Sequence, residues 1–390
     1  MNCTLFDDKN RDHLLPLTFT RPVAELRVGI LTISAKWQKW SGTPVGYHTQ
    51  TYLQEKYPAL PADAHLFING GLCPDAKLWE AVQTLKPGQA LKKGAILLAA
   101  HVTQADFAEE KFLDNATEYP HAITYISRPY ELFALNADQM KADFEMLTKG
   151  RKSAPLSSTN TVIGDESQVF LEEGASAEAS TFNTQSGPIY LGKNATVMEG
   201  CVVRGGLALL ENATLKLMTK IYGATTVGPH CKVGGEVNNS VFIGYSNKGH
   251  DGFLGNSVIG EWCNLGADTN NSNLKNNYEE VKIWNYPKGG FTKTGLQFCG
   301  LIMGDHSKCG INTMFNTGTV VGVSANIFGA GFPRNFIPSF SWGGASGFSE
   351  YKLPKAFNTA SLVMQRRGKE LDQTERDILQ YIFDKTAQYR

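Results

Sequence analysis

The sequence predicts an α/β domain followed by a parallel β-helix of hexapeptide repeats that ends in a helical segment. Three observations carry this. Apolar residues recur at intervals of six, as Leu191, Val197, Val203, Leu209, Leu215, Ile221, Val227 and Val233. A helix repeats near 3.6 residues and a flat strand near 2, whereas a hexapeptide β-helix sends one side chain per six-residue rung into a narrow prism. Many rung residues precede a glycine, as in Leu191-Gly192, Val227-Gly228, Ile259-Gly260 and Leu265-Gly266. Glycine there fits a tight corner. The pattern is absent from the first part of the chain, where strand-like and helix-like segments alternate. A β-sandwich with fortuitous spacing is the competing reading, and eight consecutive matches count against it.

Taken in order, Asn2 to Phe6 reads as an opening strand, followed by the charged loop Asp7 to His13. His65 to Ile68 and Ala95 to Leu98 read as buried strands, and Ala76 to Leu85 and Asn136 to Lys149 as amphipathic helices. Residues 1–150 are therefore expected to form one small α/β domain, and 151–160 a polar linker. Residues 161–350 are expected to form the β-helix, with the ladder resuming at Phe253, Ile259, Leu265 and at Met303, Cys309, Phe315, Val321, Ile327. Interruptions fall near 244–252 and 268–295, where loops on one face often bind ligands. Residues 351–390 turn helical, with Leu371, Ile378, Leu379, Ile382 and Phe383 as an apolar stripe suited to capping the last open rung.

Composition narrows the function classes. In 390 residues, 37 basic side chains balance 37 acidic ones, and no basic block of the kind a nucleic-acid binder shows is present. Arg151-Lys152 and Arg366-Arg367 read as isolated, solvated pairs. No charged-then-apolar leader and no membrane-length apolar run is seen, so a cytoplasmic protein is expected. The seven cysteines form no CxxC pair and read as reduced thiols.

The segment Gly244 to Gly255 concentrates candidate chemistry. His250 lies between glycines at a break in the repeat, and an imidazole there can accept a proton near neutral pH, as deprotonating an attacking amine requires. Asp251 could orient its ring, and Lys248 in the same loop is a candidate substrate contact. Downstream, Asn264 and Asn273 lead an amide-rich cluster; amides bond sugar hydroxyls, but asparagine also suits left-handed solenoid corners.

Gly249-His250, Phe253, Leu254-Gly255, Asn264-Leu265-Gly266-Ala267 and Asn273 together resemble the left-handed β-helix acyltransferases, in particular the acetyltransferase half of the bifunctional bacterial enzyme of N-acetylglucosamine 1-phosphate. The resemblance implies a left-handed β-helix, His250 as catalytic base, Asn264 and Asn273 as donor or sugar contacts, and Lys282 near the donor site. It also implies acetyl-CoA as co-substrate and a homotrimer. The chain departs from that pattern at Phe253, where the family has tyrosine, at Ile311, where a serine is expected, and at Asn238-Asn239, where two lysines are expected.

Arg11, Leu15-Pro16-Leu17-Thr18 and Arg21-Pro22-Val23-Ala24-Glu25-Leu26 resemble the opening signature of sugar-phosphate nucleotidyltransferases, and the compact ones fused to a β-helix. By that resemblance Arg11 is a catalytic residue and Arg21 a phosphate contact, since guanidinium groups neutralise phosphates during phosphoryl transfer. Asn69, after a strand, stands where those enzymes carry a magnesium-holding aspartate, and Asp7-Asp8-Lys9-Asn10 replaces the glycine loop. Mg2+ and UTP or dTTP would then be required.

Three functions follow as expectations. The first is a sugar-1-phosphate nucleotidyltransferase coupled to an acyltransferase acting on an amino-sugar phosphate. The second is a nucleotidyltransferase whose β-helix only assembles it. The third is a non-enzymatic nucleotide-sugar binder.

Overall fold

The computed structural model describes residues 3–61, 64–110 and 112–390. Asn2 of the expected first strand lies outside them. The chain forms two compact units, one from residues 1–14, 20–26 and 31–128, the other from 15–19, 27–30 and 129–390.

The first unit is a mixed six-stranded sheet. Its order is Val45–His48, Cys3–Phe6, Ala64–Asn69, Ile96–Thr103, Gln89–Lys93, Thr117–Glu118. Cys3–Phe6 pairs in parallel with both neighbours, and Ile96–Thr103 is antiparallel to both of its own. One cluster packs Phe6, Phe67, Ala90, Ala100, Val102 and Phe112. The helix Ala76–Gln83 starts where Asp75 accepts a 2.8 Å bond from the Leu78 amide, a side-chain cap for an otherwise orphaned donor.

The second unit is a parallel β-helix with three faces. Leu191, Leu209 and Val227 stack on the first face, Val197, Leu215 and Val233 on the second, Val203, Ile221 and Val237 on the third. All are buried in one continuous core. Each coil thus contributes one ladder side chain from each face and pairs its backbone with the coils on either side.

Past Val233 the spacing changes. The steps to Val237 and then Phe242 are four and five residues, not six. Leu254, not Phe253, is the inward residue of its rung, stacked on Val237 and 1% exposed. The coil also runs through 244–252: Asn247–Lys248 pairs with Lys232–Val233 on one side, and Asn247 with Asn264 on the other. Asn270–Asn271 likewise continues the third face against Met314–Phe315. The true excursion is 272–300, which carries the hairpin Lys282–Asn285/Gly290–Lys293.

The rung glycines serve close approach between coils. A Cβ on Gly266 would lie 2.5 Å from the carbonyl carbon of Gly310 in the next coil. The left-handed corners fall elsewhere, at Asn194, Asn212, His230, Tyr245, Trp262 and His306, with φ from 52° to 61°. Four of these are aromatic and stack in sequence: His230–Tyr245 at 4.7 Å, Tyr245–Trp262 at 4.3 Å, Trp262–His306 at 6.3 Å between centroids.

Two features of the ends bear on the expected layout. Helix Asn136–Thr148, assigned by its sequence position to the first domain, packs Met140 and Phe144 against Phe170, Tyr190 and Ala208 of the β-helix. At the other end, the last rung Ser341–Gly344 is covered by an antiparallel strand, Gly347–Glu350. Helix Leu353–Gln365 then runs back along the solenoid, and Arg367 just beyond it donates a 3.1 Å bond to Asn247 Oδ1. Helix Gln373–Lys385 follows, with Phe383 edge-on to Phe340.

Candidate active site

On the second face the outward residue of each rung forms a column: Lys232, Asn247, Asn264, Lys308 and Asn326 are successive register partners. The corners after these rungs carry Gly249-His250 and Gly266-Ala267. Lys232, Asn247 and Asn264 from the column and these two corners line a cleft of about 560 Å³, closed on one side by Val363, Arg366 and Arg367 from the returning helix and the turn after it. His250 also borders an adjoining cavity of about 460 Å³ with Asp251 and Asp268. Its side chain is exposed, and no described residue hydrogen-bonds its ring, Asp251 included. Asn264 is exposed in the same cleft, its amide equally uncommitted among the described residues. This is a proton acceptor beside a hydrogen-bonding amide, both open to a ligand.

Lys248 has a different role from the one its sequence position suggests. It stacks on Val233 inside the prism and is 1% exposed, so it cannot touch a ligand in the cleft. Its Nζ donates to the carbonyl oxygens of Gly234 at 3.0 Å, His250 at 3.0 Å and Gly252 at 2.7 Å. Three bonds satisfy an ammonium that burial would otherwise penalise. Burial pushes this amine down to about 8, while Asp251 and Asp268 pull the other way. Lys308, above Asn264, is likewise pushed down to about 8 by burial and donates to the His306 carbonyl at 2.8 Å.

The other two solenoid candidates lie apart. Asn273 donates to Asn256 Oδ1 at 2.8 Å, at the corner where the excursion leaves the third face. Lys282 lines a separate cavity of about 710 Å³ with Lys275, Trp284, Arg334 and Phe336. Within one chain, neither joins His250.

Sequence reasoning missed Lys216, Lys232, Tyr245 and the Arg366-Arg367 pair, all of which line the cleft. Lys232 was within reach, because it holds the same outward rung position as Asn247 and Asn264. The arginines carried no such signal: only the return of the helix delivers them.

In the first unit the two aspartates that replace the glycine loop engage Arg11 and Asn69. Arg11 is 5% exposed; its Nε lies 3.3 Å from Asp7 Oδ2, and it donates to Tyr52 OH at 2.8 Å and Asp12 at 3.0 Å. Asp8 Oδ2 accepts from Asn69 at 3.0 Å and Tyr125 at 2.6 Å. Asn69 Oδ1 accepts from the Gly71 amide at 2.9 Å. Arg21 is buried as well. With Asp8 and Asn69 occupied in this way, the set does not fit a magnesium ion. No group of three or more histidine, cysteine or acidic side chains suited to a metal occurs among the described residues.

Comparison with known proteins divides along the same line. Residues 3–152 match a family model described as sugar nucleotidyl transferase. No curated protein matches the chain. Among solved structures, the polySia-specific acetyltransferase NeuO aligns at 13% identity and TM-score 0.27 over 49% of this chain and 82% of its own. LpxA, a UDP-N-acetylglucosamine acyltransferase from Bacteroides fragilis, aligns at 14% and 0.27 over 60% and 84%. PerB from Caulobacter crescentus, solved with CoA and GDP-perosamine, aligns at 7% and 0.13 over 90% and 97%. The parallel β-helix rests on the strand register above, not on these alignments. All seven cysteines are buried and outside any disulfide, and no described helix is long and apolar enough to cross a membrane.

Proposed function

We propose that the second unit is an acyltransferase that moves an acetyl group from acetyl-CoA to the amine of an amino-sugar phosphate. The observation that carries this reading is the exposed, unpartnered His250 ring facing one cleft with Asn264. The neutral amine attacks the thioester carbonyl carbon, and as the C–N bond forms His250 takes the proton the nitrogen sheds. The tetrahedral intermediate then expels the sulfur, and the imidazolium returns its proton to the departing thiolate, so the products are amide and CoA thiol. Asn264 is placed to orient the sugar or the acyl donor by hydrogen bonding. A left-handed coil, homotrimeric assembly and a cytoplasmic location belong to the same reading, supported by the resemblance of the Gly249–Asn273 motifs.

Thiol release from acetyl-CoA with a panel of 2-amino-sugar 1-phosphates tests it. Turnover abolished in His250→Ala upholds the reading; equal turnover in that variant overturns it.

A second reading, nucleotidyl transfer by the first unit, is favoured by the family match over residues 3–152. Pyrophosphate release from UTP or dTTP with sugar 1-phosphates, with and without Mg2+, tests it. The Arg11–Asp7 and Asn69–Asp8 contacts count against Arg11 and Asn69 as free substrate ligands in this arrangement.

A further inference from the structure

The His250 cleft is electrostatically one-sided. Among the described residues that line it, four side chains are cationic (Lys216, Lys232, Arg366 and Arg367) and none is a carboxylate, in a chain whose charges balance 37 to 37 overall. Among the described residues, no ion pair or side-chain hydrogen bond engages Lys216, Lys232 or Arg366. Arg367 makes one bond, to the neutral amide of Asn247. The crowding is felt: Lys232 is held below the usual lysine range first by the Arg367 charge, then by burial, with Lys216 and Arg366 adding to it. Asp251 and Asp268 face the adjoining cavity, and Glu211 and Glu261 act on Tyr245 from outside the lining. Like charges gathered around one cleft raise the energy of the empty cleft, and an anion of two charges relieves it.

The two pairs come from separate parts of the chain. Lys216 and Lys232 project from the second face, while Arg366 and Arg367 occupy the turn that ends the returning helix Leu353–Gln365. Arginine forks bond phosphate oxygens in pairs, and lysines add compact point charge, a combination suited to a phosphate monoester.

We infer that Lys216, Lys232, Arg366 and Arg367 form a phosphate subsite of the His250 cleft, completed by the C-terminal helical segment. The inference deepens the acyl-transfer reading but is testable by binding alone. The phosphate can belong to the amino sugar or to the 3′-phosphate of the donor, and the experiment separates the two.

Titration calorimetry on the full chain would compare glucosamine 1-phosphate with glucosamine, and CoA with 3′-dephospho-CoA. The variants are Arg366→Gln/Arg367→Gln and, as a control outside the cleft, Lys369→Gln. In the native protein one of the two phosphorylated ligands should bind more tightly than its counterpart. The double variant should weaken that ligand roughly 10- to 100-fold. Its unphosphorylated partner should be unaffected, as should both ligands in the control. Discrimination within the sugar pair assigns the subsite to the acceptor, and within the CoA pair to the donor. Native protein that discriminates in neither pair, or a double variant that keeps its discrimination with the native circular dichroism spectrum, overturns the inference. Binding without turnover would sink the acyl-transfer reading while leaving the subsite standing.

Discussion

The ammonium of Lys248 lies 3.0 Å from the carbonyl oxygen of His250, so the residue that presents its imidazole to the cleft is tied by its backbone to the interior of the coil. An inward lysine in an apolar stack therefore sets the geometry of the corner outside it. Lys248→Met should keep the volume and lose all three carbonyl bonds. A stability loss of about 1–3 kcal/mol is expected, since buried acceptors are left unpaired. Urea denaturation gives the loss, and faster hydrogen exchange confined to 249–252 would show that the corner has come loose. A variant with unchanged exchange there would refute the tie.

The same lysine predicts a pH effect with a defined sign. Its amine is pushed down to about 8 in the folded chain, so between about 8 and the ordinary lysine value near 10.4 the unfolded chain binds more protons. Stability from this group therefore rises with pH across that window and is lost as pH falls through 8. Relative to Lys248→Met, the native protein should gain up to about 1.4 kcal/mol per pH unit there. Paired denaturation curves at pH 7.5, 8.5 and 9.5 measure it, and a constant difference would exclude it.

His250 can be removed cheaply. Because its ring is exposed and unpartnered, His250→Ala should leave the melting temperature within a degree or so while lowering kcat/KM for acetyl transfer by about 10²- to 10⁴-fold. Steady-state kinetics beside a thermal melt separates that outcome from a folding defect.

Arg11 should behave in the opposite way. Burial pushes the Asp7 carboxyl up, and the Arg11 guanidinium opposes that push. Arg11→Ala leaves a buried carboxylate without its cation, at a cost on the order of 3 kcal/mol. Unfolding of the first unit, followed by the fluorescence of Trp37 and Trp79, should shift to lower urea. No shift would mean that the arginine is spare and free for phosphate.

Gly266→Ala tests the coil spacing. The added methyl meets the Gly310 backbone at 2.5 Å, and backbone cannot rotate aside as a side chain can. A loss of about 1–3 kcal/mol is expected from such overpacking, and a neutral substitution would show that the coils can part.

The β-helix was readable from the sequence where its period held, from Leu191 to Val233, because one apolar side chain per rung leaves a regular mark. Reading failed where rungs shortened to four and five residues, which moved the inward position from Phe253 to Leu254. It failed again where the inward residue was polar, as at Lys248 and Asn271, since a lysine in a loop-like run of glycines gives no hint that carbonyls await it inside. Half of the cleft was visible in advance, in His250 and Asn264. Arg366 and Arg367 were not, because no local pattern says that a helix end more than 100 residues later folds back against it.

The row of rings at the left-handed corner makes the protein its own optical gauge. Trp262 is sandwiched between Tyr245 and His306, and Tyr245 borders the cleft. Transition dipoles held face to face at 4.3 Å couple strongly, and the coupling fades steeply with separation. Any ligand that squeezes or spreads neighbouring coils will therefore change the near-ultraviolet circular dichroism of this stack, and occupancy of the cleft can be followed without a label.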